Sequence, residues 1–163
     1  MTAHTALPPL QDFMCFATYT ANLAFGKAYK PYLGKIGLTY TQWIALVALG
    51  EEDNQTVNQL GRKLFLASNT LTPLLKGMEQ QGWLVRERSK EDERRVVVNL
   101  TGAGRAKLAE SQSCIGIFQD CGLSMEETAA LQKAVSKLRD NLLAGLEDKR
   151  EAAEAVENQP RIE

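Results

Sequence analysis

Cys15 sits in the apolar stretch LQDFMCFATYTANLAF, residues 10–25, in a chain of 163 residues with three cysteines and one histidine. A thiolate is a nucleophile and an oxidisable group, so this position could carry redox or covalent chemistry. The plainer alternative is a small core hydrophobe, a common fate of an unpaired cysteine. Cysteine–histidine catalysis needs a positioned base, and the only histidine, His4, lies close to the N-terminus. Three scattered cysteines match no zinc-ligand spacing. Neither a metal, another cofactor nor an enzymatic activity is therefore expected.

A second chemistry is carried by RERSKEDERR, residues 86–95. Arg86, Arg88, Lys90, Arg94 and Arg95 place five cations in ten positions. The net charge of −1 hides the surrounding asymmetry. Residues 54–105 hold nine Lys or Arg against five Asp or Glu, whereas residues 106–163 hold seven against eleven. A basic middle suggests a polyanionic partner.

These groups need elements to hold them. Hydrophobic residues make up 44% of the chain and charged residues 24%, a balance that suits one packed domain rather than a disordered chain. Leu10, Phe13, Met14, Ala17, Ala21, Ala24 and Phe25 follow helical spacing, so a helix is expected from about 10 to 30, with Pro31 interrupting or ending it. Thr39 and Gln42 form a capping pair before an apolar run, which predicts a helix over 40–50. Thr56 and Gln59 repeat the device for a helix over 57–64. Ser68 is the expected cap region of the next helix, which Gly82 ends in a left-handed turn. Pro73 falls near its first turn, where a missing N–H costs little.

The period then changes to two strand-like runs, 83–88 and 96–100, around the charged turn. Thr101 can cap a helix through GAGRAKLAESQSCIGIF, and Ser124 with Glu127 can cap the last one. That final helix carries Leu131, Val135, Leu138, Leu142 and Leu146 as an apolar stripe. Beyond about residue 150 the chain is a polar tail expected to fray.

Helix, turn, helix and hairpin in this order make a winged helix-turn-helix, in a mainly α fold with a small β-hairpin wing. The second helix of such a motif enters the major groove of double-stranded DNA. Away from its apolar stripe it presents Ser68, Asn69, Thr70, Thr72, Pro73 and Lys76, which suit base edges and phosphates. A guanidinium at the hairpin tip suits the narrow minor groove. The bland alternative for each is a solvated face or an ordinary charged turn.

The stretch LASNTLTPLLKGMEQQGWLVRERSKEDERRVVVNLTGAG resembles the MarR family of winged-helix regulators. The resemblance lies in the helix, in Gly82, Leu84 and Arg86 of the first strand, and in the wing pattern from Asp92 and Arg94 to Val98, Leu100, Thr101 and Gly104. It extends over roughly residues 10–146. It implies a homodimer with intertwined helices, here 10–38 and 102–150, around two DNA-binding lobes, here 40–101, on a pseudo-palindromic operator. Asp92 and Arg94 match the pair that fixes and inserts the wing tip, and Arg95 is placed to contact a phosphate.

Within that family, MCFATYTANLAFGKAYKPYL and LTYTQW resemble the organic hydroperoxide resistance branch, the OhrR type. The resemblance implies that Cys15 is a sensing thiol whose sulfur is hydrogen-bonded by Tyr29 and Tyr40 of the partner subunit. Tyr19, four residues along the same helix face, is a further candidate. Phe13, Met14, Phe16 and Phe25 would line a pocket that favours an organic hydroperoxide. A sulfenic acid at Cys15 condenses with a second thiol, and Cys121 or Cys114 is the candidate resolving residue. The expected outcome is a repressor released on oxidation. The alternative is a MarR-type repressor released by an apolar or phenolic ligand, with Cys15 structural; a winged-helix protein-interaction module is a more distant reading.

No apolar run reaches the roughly 18 residues of a membrane span. The opening MTAHTALPPL lacks a basic region followed by an apolar core. A cytoplasmic protein with reduced thiols is expected.

Overall fold

The structure is a computed structural model that describes residues 7–89, 92, 94–112 and 121–157. Six α-helices and a three-stranded antiparallel sheet stand among the described residues. They are α1 (Met14–Lys35), α2 (Tyr40–Glu51), β1 (Gln55–Thr56), α3 (Val57–Leu64), α4 (Ser68–Gln80), β2 (Leu84–Arg88), β3 (Val96–Leu100), α5 (Gly102–Glu110) and α6 (Met125–Glu157). The chain divides into two compact units, residues 1–117 and residues 118–163.

Local chemistry sets most of the boundaries in the first unit. Thr39 and Thr56 each accept a hydrogen bond from the N3 backbone while Gln42 and Gln59 reach back to the cap N–H. Each reciprocal cap contributes about 1 kcal/mol. Gly82 has φ +72° and closes α4: its N–H donates to the Glu79 carbonyl, and the Trp83 N–H donates to the Met78 carbonyl. Phe65 adopts the left-handed conformation at the α3–α4 turn, with φ +54°. Leu46, Leu49, Leu60, Leu71, Leu75, Met78, Leu84 and Val98 are almost wholly removed from water. At roughly 1.5–3 kcal/mol each they fasten α2, α3, α4 and the hairpin into one lobe.

The helix expected over 10–30 differs at both ends. A 3-10 turn occupies Leu10–Asp12, and α1 runs from Met14 through Pro31 to Lys35. Pro31 and Lys27 are exposed, so the Lys27 carbonyl that loses its helical donor faces water. Tyr29 and Leu33, buried on either side, hold the helix through the break. Ser68 is the first helical residue rather than the cap; that position is Ala67, with no side-chain cap bond. Pro73 is the sixth residue of α4, so it removes a real helical bond, the one to the exposed Asn69 carbonyl. Strand β1 was not expected. Its two residues pair with Val97 and Val98, and the strand order is β1-β3-β2.

In the second unit the Ser124–Glu127 cap forms as expected. The Ser124 N–H donates to Glu127 Oε2 at 2.8 Å and the Glu127 N–H donates to Ser124 Oγ at 3.2 Å. Helix α6 continues to Glu157, past the point where fraying was expected. Leu131, Val135, Leu142 and Leu146 of its stripe are exposed.

Candidate DNA interface and thiol site

Helix α4 presents Ser68, Asn69, Thr70, Thr72, Pro73 and Lys76 to solvent together, because Leu71, Leu75 and Met78 take the buried face. The polar residues read from the sequence therefore share one exposed side. Thr70 Oγ1 donates to Asn69 Oδ1 at 3.4 Å.

The hairpin is tied to α4 by an ion pair. Arg86 donates to the Glu79 carboxylate from its backbone N–H and from Nε, each at 3.0 Å, and from Nη2 at 2.6 Å. Those bonds hold the Glu79 carboxyl below its usual range. Arg86, read from the sequence as a groove cation, is thus also a strut between helix and wing. Arg88 extends along β2 with its side chain exposed.

At the tip, Asp92 Oδ1 accepts the Arg94 backbone N–H at 3.1 Å and Oδ2 pairs with Arg95 Nε at 3.3 Å. The carboxylate thus bends the backbone that carries Arg94 while its ion pair goes to Arg95. The Arg94 and Arg95 side chains are both exposed. Lys90 lies outside the described residues.

Between α3, α4 and the wing lies a cleft of about 470 Å³ whose lining includes Asn58, Arg62, Thr72, Arg86, Arg94 and Arg95. Arg62 and Asn58 were not singled out in the sequence. Their signal was available only in retrospect, as exposed polar positions on a helix whose Leu60 is buried.

Cys15 is exposed near the start of α1. Met14 and Phe25 are exposed, while Phe13 and Phe16 are half-buried. Tyr19 is 58% exposed, with its ring 6.4 Å from Phe16. Tyr29 and Tyr40 are brought together, ring centroids 5.2 Å apart, with Trp43 against both. Cys15 and Tyr29 stand on the same helix, fourteen residues apart, or roughly 21 Å at ~1.5 Å per residue. The tyrosines of one chain therefore do not reach its own thiol. Cys121 is exposed just ahead of α6, and Cys114 lies outside the described residues. No group of three or more His, Cys, Asp or Glu among the described residues could hold a metal ion. No helix among them is long and apolar enough to cross a membrane.

A winged helix-turn-helix with a cationic hairpin and an exposed thiol on its first helix defines a class, the winged-helix transcriptional regulators. Residues 27–111 match the model of the transcriptional regulator SarA/Rot family. The chain is 47% identical over 129 residues to the organic hydroperoxide resistance transcriptional regulator of Bacillus subtilis, covering 79% of this chain and 86% of that one. Among solved structures, reduced AbfR of Staphylococcus epidermidis bound to DNA is 34% identical with a TM-score of 0.65, covering 82% of this chain and 94% of that one. A probable transcriptional regulator from Pseudomonas aeruginosa is 32% identical with a TM-score of 0.74, covering 80% and 99%. The chain belongs to the SarA/Rot-type family of winged-helix transcriptional regulators, the MarR class that its wing motif resembles, with an organic hydroperoxide resistance regulator among its relatives.

Proposed function

We propose that this protein is a redox-sensing DNA-binding repressor, a regulator rather than an enzyme, which leaves its operator when organic hydroperoxide oxidises Cys15. The observation that carries the reading is the pairing of an exposed Cys15 with a Tyr29–Tyr40 pair about 21 Å away in the same chain. The distance suits a site completed between two copies, in which each copy's tyrosines serve the other's sulfur. Exposed Leu10 in the turn ahead of α1, Met14 and Leu23 on α1, and the exposed stripe of α6 are the apolar surface such a homodimer buries.

On DNA, α4 of each copy lies in the major groove, the two helices about one turn apart, ~34 Å. The wing tips take the flanking minor groove, and the arginine-lined cleft faces the phosphates between.

Tyrosine hydroxyls donating to the sulfur favour the thiolate. The thiolate attacks the terminal peroxide oxygen, the O–O bond breaks, and the alkoxide leaves as an alcohol after taking a proton. Cys15 becomes a sulfenic acid. A thiolate from the partner copy, Cys121 in the preferred version, then attacks that sulfur; an S–S bond forms and the oxygen leaves as water. Loss of the tyrosine hydrogen bonds and the pull of the disulfide turn the two lobes out of register with the groove.

The test is binding to the promoter DNA upstream of the protein's own gene, reduced and after one equivalent of cumene hydroperoxide. Wild type is expected to release DNA, whereas Cys15→Ser binds in both conditions. A wild type that stays bound, or a Cys15→Ser variant that still responds, rejects the mechanism.

A further inference from the structure

Trp43 stands where the tyrosine pair meets the rest of the lobe. Its ring centroid is 5.0 Å from Tyr29 and 5.8 Å from Tyr40. On its other side the indole Nε1 donates to Ser111 Oγ at 3.1 Å, across 68 positions of sequence. Ser111 is only 2% exposed, and its hydroxyl donates onward to the Leu108 carbonyl at 2.7 Å. An indole N–H can only donate, and a ring N–H in a packed site needs an acceptor.

Ser111 also ends α5, where its backbone N–H reaches the carbonyls of Lys107, Leu108 and Ala109. At the other end of α5, the Thr101 hydroxyl donates to the Gly82 carbonyl at 2.6 Å, directly after the recognition helix. The two tyrosines and α4 are therefore connected through a polar joint between α2 and α5.

We propose that the Trp43–Ser111 hydrogen bond is the joint through which movement of Tyr29 and Tyr40, on oxidation of Cys15, reaches α5 and the recognition helix. This deepens the redox reading above and rests on it. When the thiolate is lost, the tyrosine hydroxyls lose their acceptor and the two rings repack. Trp43 shares contacts with both, so it moves with them. Apolar contacts tolerate small sliding, whereas a hydrogen bond weakens steeply once its angle or length departs from the optimum. A made bond and a broken bond are two discrete arrangements, which a switch requires. Breaking it leaves a buried hydroxyl and an indole N–H to find new partners, so the end of α5 shifts as well. Trp43 and Ser111 act as positioning residues; neither touches the oxidant.

A double-mutant cycle on the full-length protein tests this with the same promoter DNA and cumene hydroperoxide. Wild type is expected to lose affinity by roughly tenfold or more on oxidation, within the range usual for coupled sites. Trp43→Phe keeps the ring contacts and removes the donor; Ser111→Ala removes the acceptor. Both are expected to bind DNA more weakly than wild type already when reduced, while keeping the wild-type rate of Cys15 oxidation, measured by thiol titration. Their oxidative loss of affinity should shrink below about threefold, and the double variant should match either single one. A role in packing alone would also weaken reduced-state binding but would leave the oxidative loss at its wild-type fold. In a Trp83→Phe background, Trp43 emission should shift on oxidation, and Ser111→Ala should already show the shifted spectrum when reduced. Single variants that release DNA as wild type does, or effects that add, overturn the joint and leave the thiol sensor standing. A wild type that does not release DNA overturns both. Should Trp43→Phe fail to fold, Ser111→Ala with the emission measurement decides alone.

Discussion

Glu79 and Arg86 face each other across the corner between α4 and β2, with three hydrogen bonds converging on one carboxylate. The pair fixes the angle of the wing against the recognition helix. Arg86 hydrogen bonding holds the Glu79 carboxyl below its ordinary value of 4.5. A folded-state pKa below the unfolded one means that the carboxylate stabilises the fold above the unfolded value. That stabilisation disappears as pH falls through the folded value. Thermal unfolding of wild type and Glu79→Gln should therefore differ at neutral pH and converge as the pH is taken below about 4.5. A gap that stays constant down to pH ~3, below the ordinary Asp and Glu range, would show that the pair acts by shape and not by charge.

Thr101 and Gly104 make the second fixed corner. Thr101 Oγ1 donates to the Gly82 carbonyl at 2.6 Å and accepts the Gly104 N–H at 3.0 Å. Thr101→Val keeps the shape and removes both bonds, at a cost of about 1–2 kcal/mol. Gly104 has no room for a side chain, since a Cβ would overlap the Trp83 carbonyl. Gly104→Ala should destabilise by about 1–3 kcal/mol as the α5 start is pushed from the hairpin. Denaturant midpoints check both. An unchanged midpoint for Gly104→Ala would mean that this corner yields easily.

Features whose cause is local were legible in the sequence. The pairs Thr39–Gln42, Thr56–Gln59 and Ser124–Glu127 each need only three intervening bonds of helix, and all three caps formed. The hairpin strands were legible from their change of period. Pro31 misled because its local penalty was offset by Tyr29 and Leu33, whose burial depends on distant helices. Strand β1 was too short for a pattern and exists because β3 offers an edge. Likewise Trp43–Ser111 joins residues no periodicity connects. The exposed polar face of α4 was readable because its buried complement was. The Glu79 strut was not, because a carboxylate on a helix gives no sign of which cation it meets.

The resolving thiol can be separated by substitution. Non-reducing electrophoresis after cumene hydroperoxide should show a dimer-sized covalent band in wild type. Cys121→Ser should abolish that band and Cys114→Ser should keep it. The reverse pattern would assign the role to Cys114, and release of DNA without any band would replace the second protein thiol by a small one.

Asp92 allows charge and geometry at the wing tip to be told apart. The residue removes one unit of positive charge from a surface meant for phosphates, yet it holds the Arg94 N–H and pairs with Arg95. If net charge alone governed binding, Asp92→Asn would tighten it. If the tip must be shaped for Arg94 to enter the groove, the same substitution weakens it despite the gained charge. We expect weakening, with Arg94→Ala weakening further and lowering the slope of log K against log salt by about one per tip. Titrations of the promoter fragment at several salt concentrations read both quantities. Tighter binding by Asp92→Asn at every salt concentration would remove Asp92 from the positioning role and leave the wing as a plain electrostatic contact.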